Sequence, residues 1–233
     1  MEEKDILGFK INFSDDLIKI IKKEKSKGYY IFANTNTLVE AKNDSLLEKS
    51  LKNSNMNLPD GFPLALMARI KGLKNARKIG GPDFTLNFIK YIEKNNQPCC
   101  FYGGTREQAD KRKEILLKIF PRLNFLSFSE DKEISMMKSL NKNKIKYLFV
   151  SLGSPKQEIW AYKNKNKINA TIFCVGAAIP YILEDYKRAP KIIRNLYLEW
   201  LYRLINQPRH SFKRYIINGP KFLLFSISDI FNK

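Results

Sequence analysis

The chain has 233 residues, 44% of them apolar, and its 42 Lys and Arg outnumber 23 Asp and Glu for a formal charge of +19. That length and apolar content suit one sizeable α/β domain, with or without an appendage, and exclude a disordered or fibrous chain. The charge implies a polyanionic partner or surface: nucleic acid, anionic lipid or a phosphate-bearing substrate.

The N-terminus, MEEKDILGFKINF, carries acids where a signal peptide needs a basic region, so a secretory leader is not expected. No run reaches the roughly 18 to 20 apolar residues of a membrane-spanning helix. Tyr29 to Ala33 (YYIFA) is the first run that suits a buried parallel strand. Asn34, Thr35 and Asn36 follow it, placing amides and a hydroxyl at a strand's carboxyl end and supplying a sound helix N-cap. The pattern then predicts a helix over 37–51, a weaker strand over 56–58 and a helix over 63–70 opened by Pro63. Between these last two, Pro59-Asp60-Gly61 sets a carboxylate in a tight turn. Asp60 is a turn residue or, at the mouth of a cleft, a general base. Gly80-Gly81-Pro82-Asp83 reads as a glycine turn with Asp83 capping a helix over 83–95.

Further strands are predicted over 98–102 (PCCFY), 123–128, 147–152 (YLFVSL) and 171–175 (TIFCV), with helices over 106–120, 131–141 and 156–166. This alternation argues for a Rossmann-like, mostly parallel sheet flanked by helices. Ligands of such sheets bind beyond the carboxyl ends of the strands, where helix N-termini and free turn amides point. Gly103-Gly104, Gly153 and Gly176 stand at three of those ends and permit close backbone approach to a bound group. Gln157 and Glu158 open a helix directly after a buried strand, where their side chains can face the crevice. Neither GxGxxG nor GxxxxGK[ST] is present. Cys99, Cys100 and Cys174 read as core residues of a reducing compartment, and His210 is the only histidine, which leaves a His-based triad little support.

After Val175 the pattern changes. From Lys187 to Tyr215 eight Lys or Arg (Lys187, Arg188, Lys191, Arg194, Arg203, Arg209, Lys213, Arg214) interleave with aromatics around one acid, Glu199. Residues 192–205 are helical in period, Pro208 interrupts them, a short helix follows, and Gly219-Pro220 is expected to break the chain again. The apolar tail KFLLFSISDIFNK suits either a membrane interface or the core. The chain thus divides into an α/β domain over 1–186 and a basic, aromatic appendage over 187–233.

PDGFPL, the RKIGGPDF block, FYGGT, SLGSPKQEIW, VGAA followed by KRAP, and LEWLYRLINQPRHSFKRY resemble, in order and spacing, the WecG/TagA/CpsF glycosyltransferases, also called family 26, between about 34 and 215. The resemblance implies a GT-E type fold and metal-independent, inverting transfer of N-acetylmannosamine, its uronic acid or a related sugar. The donor would be a UDP-sugar and the acceptor a polyprenyl-diphosphate-linked sugar. The site would be the cytoplasmic face of the membrane, in the building of teichoic acid, capsule or other cell-envelope polysaccharide. No cofactor or metal would be needed. By the same resemblance Asp60 is the catalytic base, and Thr35 and Asn36, with Asn34 in the same loop, lie beside the reacting sugar. Arg77 is near the donor diphosphate, and Gln157 is on the donor sugar or nucleotide, with Gly103, Gly153 and Gly176 along the donor crevice. Arg203, Arg209 and Arg214 balance leaving-group charge as a lid, while Arg188 orients that segment. Many relatives carry an Asp after the VGAA turn and a Gly before RAP, where this chain has Ile179-Pro180 and Glu184-Asp185, so the sugar specificity is left open, as is self-association. Two other readings remain: a nucleic-acid-binding protein, which lacks a recognisable RNA or DNA module, and a catalytically idle membrane scaffold on the same fold.

Overall fold

The computed structural model describes residues 1–24, 27–186 and 189–231. Its centre is a six-stranded sheet built from β3 (Gly28–Ala33), β4 (Met56–Pro59), β5 (Cys99–Tyr102), β6 (Phe125–Phe128), β7 (Tyr147–Val150) and β8 (Thr171–Cys174). All neighbours pair in parallel, in the order β4-β3-β8-β7-β5-β6. Helices cover both faces, so the middle strands carry apolar residues on both sides. Tyr29, Ile31 and Ala33 of β3 enter one core layer while Tyr30 and Phe32 enter the other. The second layer is aromatic, with Phe88, Phe149 and Phe173 in mutual contact. Cys99, Cys100 and Cys174 are free and buried, as the sequence suggests.

An N-terminal hairpin, β1 (Glu2–Ile6) and β2 (Phe9–Phe13), was not anticipated. It turns on Leu7 and Gly8, both with positive φ, the backbone that a two-residue hairpin turn requires. The hairpin packs beside the edge strand β4, where Asn57 N donates to Asn12 Oδ1 at 3.0 Å and Asn57 Nδ2 donates to Lys10 O at 3.1 Å. An edge that would otherwise expose ladder groups is thereby covered. The helix α1 (Leu17–Glu24) leads from this hairpin into β3.

The single helix expected over 37–51 is two, α2 (Thr35–Ala41) and α3 (Ser45–Lys52). Asp44 starts the second by accepting from the amides of Leu46 and Leu47, which is the N-cap chemistry that divides them. The remaining helices of the body are α4 (Phe62–Ile70), α5 (Gly81–Lys94), α6 (Arg106–Ile119), α7 (Glu133–Lys142), α8 (Lys156–Asn164) and α9 (Ala178–Ile182).

The elements of the appendage, where it is described, are all helical: α10 (Lys191–Asn195), α11 (Glu199–Asn206), α12 (Pro208–Phe212), a π-type turn over Lys213–Ile217 and α13 (Asn218–Phe231). Gly219-Pro220 does not break it, contrary to expectation. Pro220 lies in the first turn of α13, and the wide turn just upstream relieves the missing N–H and the ring clash that proline brings to an interior position. Along α13, Phe222 and Ser226 are buried against the body and Ile230 packs on the same core. The opposite face leaves Leu223, Leu224, Ile227 and Phe231 more than half exposed.

Candidate active site

The ladder aligns the carboxyl ends of the strands. Ala33 pairs with Pro59, Ile31 and Val150 each pair with Cys174, and Tyr102 pairs with Val150. The residues that follow form one row across the top of the sheet: Asp60 after β4, Asn34 to Asn36 after β3, Gly176 after β8, Ser151 to Gly153 after β7, and Gly103-Gly104 after β5. With neighbouring strands roughly 4.8 Å apart, four spacings separate Asp60 from the Gly103 end.

At the Asp60 end the carboxylate is half-buried. Its backbone N–H donates to Ala33 O at 2.7 Å, and its Oδ1 accepts from Gly81 N, at the start of α5, at 3.4 Å. Burial raises its pKa, while Arg203, Arg214 and the Gly81 amide pull it down and Glu199 adds to the rise; burial wins. Arg203 pairs with Glu199 at 2.6 Å and lies over the Tyr181 ring at 4.8 Å. Burial alone would lower its pKa, but Glu199, Tyr215, Tyr181 and Asp60 raise it, so it stays charged. Arg214 lies over Tyr215. Arg194 is 3.8 Å from Asp83, which sits inside the first turn of α5. The cap there is Gly80, with no side-chain cap bond, so Asp83 does not cap as expected. Nε of Arg194, of Arg203 and of Arg214 is shut from solvent and finds no acceptor among the described residues. Each such orphan donor is destabilising by roughly 1–3 kcal/mol. Phe62, two residues after Asp60, packs tilted against Tyr197 of the appendage, ring centroids 4.2 Å apart, which ties that segment to the Asp60 turn.

Asn34 caps α2, accepting from Thr37 N at 3.3 Å, and Thr35 is half-buried beside it. Asn36 accepts from Asn218 Nδ2 at 2.7 Å, which ties the loop to α13. Arg77 is exposed, in the segment whose Ile79 N–H donates to Pro59 O next to Asp60.

At the other end Gly103, Gly153 and Gly176 do come together. They line a cavity of about 220 Å³ with Gly104, Ser151 and, on α6, Arg112. Ile179, Pro180, Leu183, Asp185 and Tyr186 line it as well. A Cβ on Gly103 would sit 2.3 Å from Ser151 O, whereas one on Gly153 would meet nothing within 4 Å. The first glycine is demanded by backbone packing, and the second leaves open space. Arg112 went unread in the sequence because it lies among the charges of α6, and only the fold buries it against Ser127 Oγ, Gly103 O and Phe128 O at 2.9, 2.9 and 3.2 Å. Burial lowers its pKa to about 10, which still leaves it charged at neutral pH.

Gln157 does not point freely into the crevice. It is buried, with Oε1 accepting from Gly176 N at 2.9 Å and Nε2 donating to Glu158 Oε1 at 2.9 Å. Arg209 is exposed, with no contact to the Asp60 cluster among the described residues. Arg188 lies outside the described residues.

A carboxylate facing fixed guanidinium groups, in line with a glycine-floored cavity, is equipped to deprotonate a hydroxyl while stabilising a departing anion. The model of the "Glycosyl transferase WecG/TagA/CpsF family" matches residues 5–233. The chain belongs to the WecG/TagA/CpsF family. Its chemistry is therefore glycosyl transfer, which decides against the nucleic-acid-binding reading. Among the relatives of this glycosyltransferase is an N-acetylglucosaminyldiphosphoundecaprenol N-acetyl-beta-D-mannosaminyltransferase of Bacillus spizizenii, 24% identical over 205 residues that cover 86% of this chain and 79% of that protein. A protein of the same name from Staphylococcus aureus is 28% identical over 134 residues, covering 56% of this chain and 53% of its own length.

Proposed function

We propose that this family member transfers an N-acetylmannosamine-type sugar from UDP to a polyprenyl-diphosphate-linked N-acetylglucosamine, with inversion and without a divalent metal. Asp60 removes the proton of the acceptor hydroxyl as that oxygen forms its bond to the anomeric carbon. The bond from this carbon to the β-phosphate oxygen breaks, and its electron pair leaves with UDP. The nucleoside end of the donor occupies the cavity at Gly103, Gly153 and Gly176, and the donor runs back along the row of strand ends so that its diphosphate reaches the appendage arginines and its sugar lies toward Thr35 and Asp60. Attack and departure then fall on opposite sides of the reacting carbon, as inversion requires.

The observation that carries this reading is the placement of appendage arginines at this end of the row, Arg203 and Arg214 acting on Asp60 and Arg194 beside Asp83. Among the described residues their buried Nε donors lack acceptors, and fixed positive charge is what a departing diphosphate needs. Support for peripheral membrane attachment comes from the apolar outer face of the appendage, and no helix among the described residues is long and apolar enough to cross a bilayer. The relatives' names support the donor sugar and lipid-linked acceptor.

The deciding experiment measures UDP release from UDP-N-acetylmannosamine with a lipid-linked N-acetylglucosamine acceptor, in EDTA, for the wild type and for Asp60→Asn. Turnover persists in EDTA, and the variant loses about 10²–10⁴-fold in kcat while still binding UDP. Full activity in Asp60→Asn removes Asp60 as the base, and dependence on added metal removes the charge-balance role of the arginines.

A further inference from the structure

Glu158 is a fully buried carboxyl that the reaction above does not use. It is 1% exposed, and among the described residues nothing completes a hydrogen bond to its Oε2, although the Ser154 hydroxyl and its own backbone N–H lie near enough to favour the charged form. An apolar residue of similar size would pack there without that penalty, so the carboxyl needs a reason.

Its neighbours supply one. Gly176 N–H is an unambiguous donor, so the Gln157 amide must turn its oxygen toward Gly176, as it does at 2.9 Å. Nε2 of Gln157 then faces inward, where the acceptor is Glu158 Oε1 at 2.9 Å. Without that acceptor the amide would lose what holds it against flipping, and a flip would set two N–H donors face to face. Gly176 has a left-handed φ of 50°, and its carbonyl accepts from Ser151 Oγ at 2.7 Å. Gly176 and Ser151 are both walls of the 220 Å³ cavity. The helix is anchored independently of this chain of bonds, since Ser50 Oγ donates to Glu158 O at 2.6 Å.

We propose that Glu158 is a positioning residue for the donor nucleotide, acting through Gln157 to fix the Gly176 turn and Ser151, the cavity walls at the ends of β8 and β7. This rests on the nucleotide occupying that cavity. The groups facing Glu158 are Gln157 and Ser154 from its own segment, Glu40 from α2 and the Cys174 thiol of β8. Burial is the main force that pushes Glu158 up to about 7, and Glu40 adds to it. Glu158 therefore titrates near neutral pH, and a bound nucleotide anion opposes its ionisation.

The test is UDP affinity by calorimetry across pH 6 to 8, with kcat and KM, for the wild type, Glu158→Gln and Glu158→Leu. Glu158→Gln keeps an acceptor for Gln157 and binds UDP within about threefold of the wild type at pH 6. Wild-type affinity then falls relative to Glu158→Gln as pH rises through about 7, and the titration of UDP itself cancels in that ratio. Glu158→Leu raises KM for the donor and weakens UDP at least tenfold, with kcat at saturation within about threefold. Equal UDP affinity in folded Glu158→Leu and wild type overturns the proposal, and so does a tenfold loss in Glu158→Gln. Should Glu158→Leu not fold, the ratio of wild type to Glu158→Gln decides, and a ratio that is flat with pH overturns it. Failure of the wild type to bind UDP at all refutes the nucleotide site itself, an outcome distinct from either of these.

Discussion

At the scale of single residues, Asp60 carries a conflict between stability and chemistry. Its folded pKa is raised, so in the acid range the native state holds a proton that the unfolded chain has released. The resulting stabilisation is complete below the unfolded carboxyl pKa and is lost as pH rises through the folded value. At neutral pH the ionised, half-buried group is the destabilising form and also the form that can accept a proton. Asp60→Asn therefore lowers turnover without lowering Tm, which thermal unfolding at pH 7.5 checks beside the activity assay. The neighbouring arginine is expected to be intolerant of a change that conserves charge. Arg203 lies over Tyr181 and pairs with Glu199 through one terminal nitrogen, leaving the rest of its planar guanidinium to face an anion, and lysine offers only a point charge on a flexible stem. Arg203→Lys should cut kcat/KM by about 10–100-fold, in the range seen for losing one fixed electrostatic group. Retention of wild-type kcat/KM would show that the charge alone suffices.

At the scale of elements, the strands were legible where burial is two-sided. YYIFA, CCFY, YLFV and TIFC are continuous apolar runs because helices cover both faces of the sheet. The hairpin was missed although Phe9, Ile11 and Phe13 alternate, because Leu7 adopts a left-handed conformation that no leucine announces. Candidate residues next to strand ends were legible, since the row of turns follows from the topology. Arg112 and the inward turn of Gln157 were not, because both depend on partners that only the folded sheet brings together, Ser127 and Phe128 of β6 for Arg112 and Gly176 after β8 for Gln157. The clamp on α13 belongs to this second kind. Asp229 near its end accepts from Leu7 N at 3.0 Å and pairs at 2.6 Å with Lys71, whose side chain is 7% exposed. Lys71 also donates to Asp5 O. One carboxylate thus binds the last helix to the N-terminal hairpin and to the end of α4. Removing one partner of this partly buried pair costs about 1–3 kcal/mol, because the other charge and its hydrogen-bond partners are left unmatched. Asp229→Ala should lower Tm by several degrees and release α13, read as faster hydrogen exchange along 218–231. Unchanged exchange there would mean that Phe222 and Ser226 hold the helix unaided.

At the scale of the whole molecule, the two faces of α13 answer the question that its sequence left open. Phe222, Ser226, Asp229 and Ile230 recur at helical spacing toward the body, while Leu223, Leu224, Ile227 and Phe231 recur at the same spacing away from it. The tail packs on the core with one face and presents an apolar stripe with the other. Ile192, Ile205 and Phe212 of the appendage are also more than half exposed, with Lys191, Arg209, Lys213 and Lys221 exposed among them. Apolar side chains flanked by cations, on helices beside the site proposed for a lipid-linked acceptor, suit an anionic membrane surface. Deleting the tail is a poor test of this, because it would also uncover the core around Phe222 and break the Asp229 clamp. The combined substitution Leu223→Ser, Leu224→Ser and Phe231→Ser leaves those contacts in place. Transferring each of these side chains into the interface contributes about 1 kcal/mol or more, so the triple variant should bind anionic vesicles at least tenfold more weakly at unchanged Tm. Its turnover of a water-soluble, short-chain acceptor analogue should match the wild type, while turnover of the vesicle-embedded acceptor falls. Added salt should weaken the wild type further, because screening over about 10 Å at 0.1 M removes the lysine and arginine share. Vesicle binding unaffected by the three serines would place the membrane contact elsewhere on the basic surface.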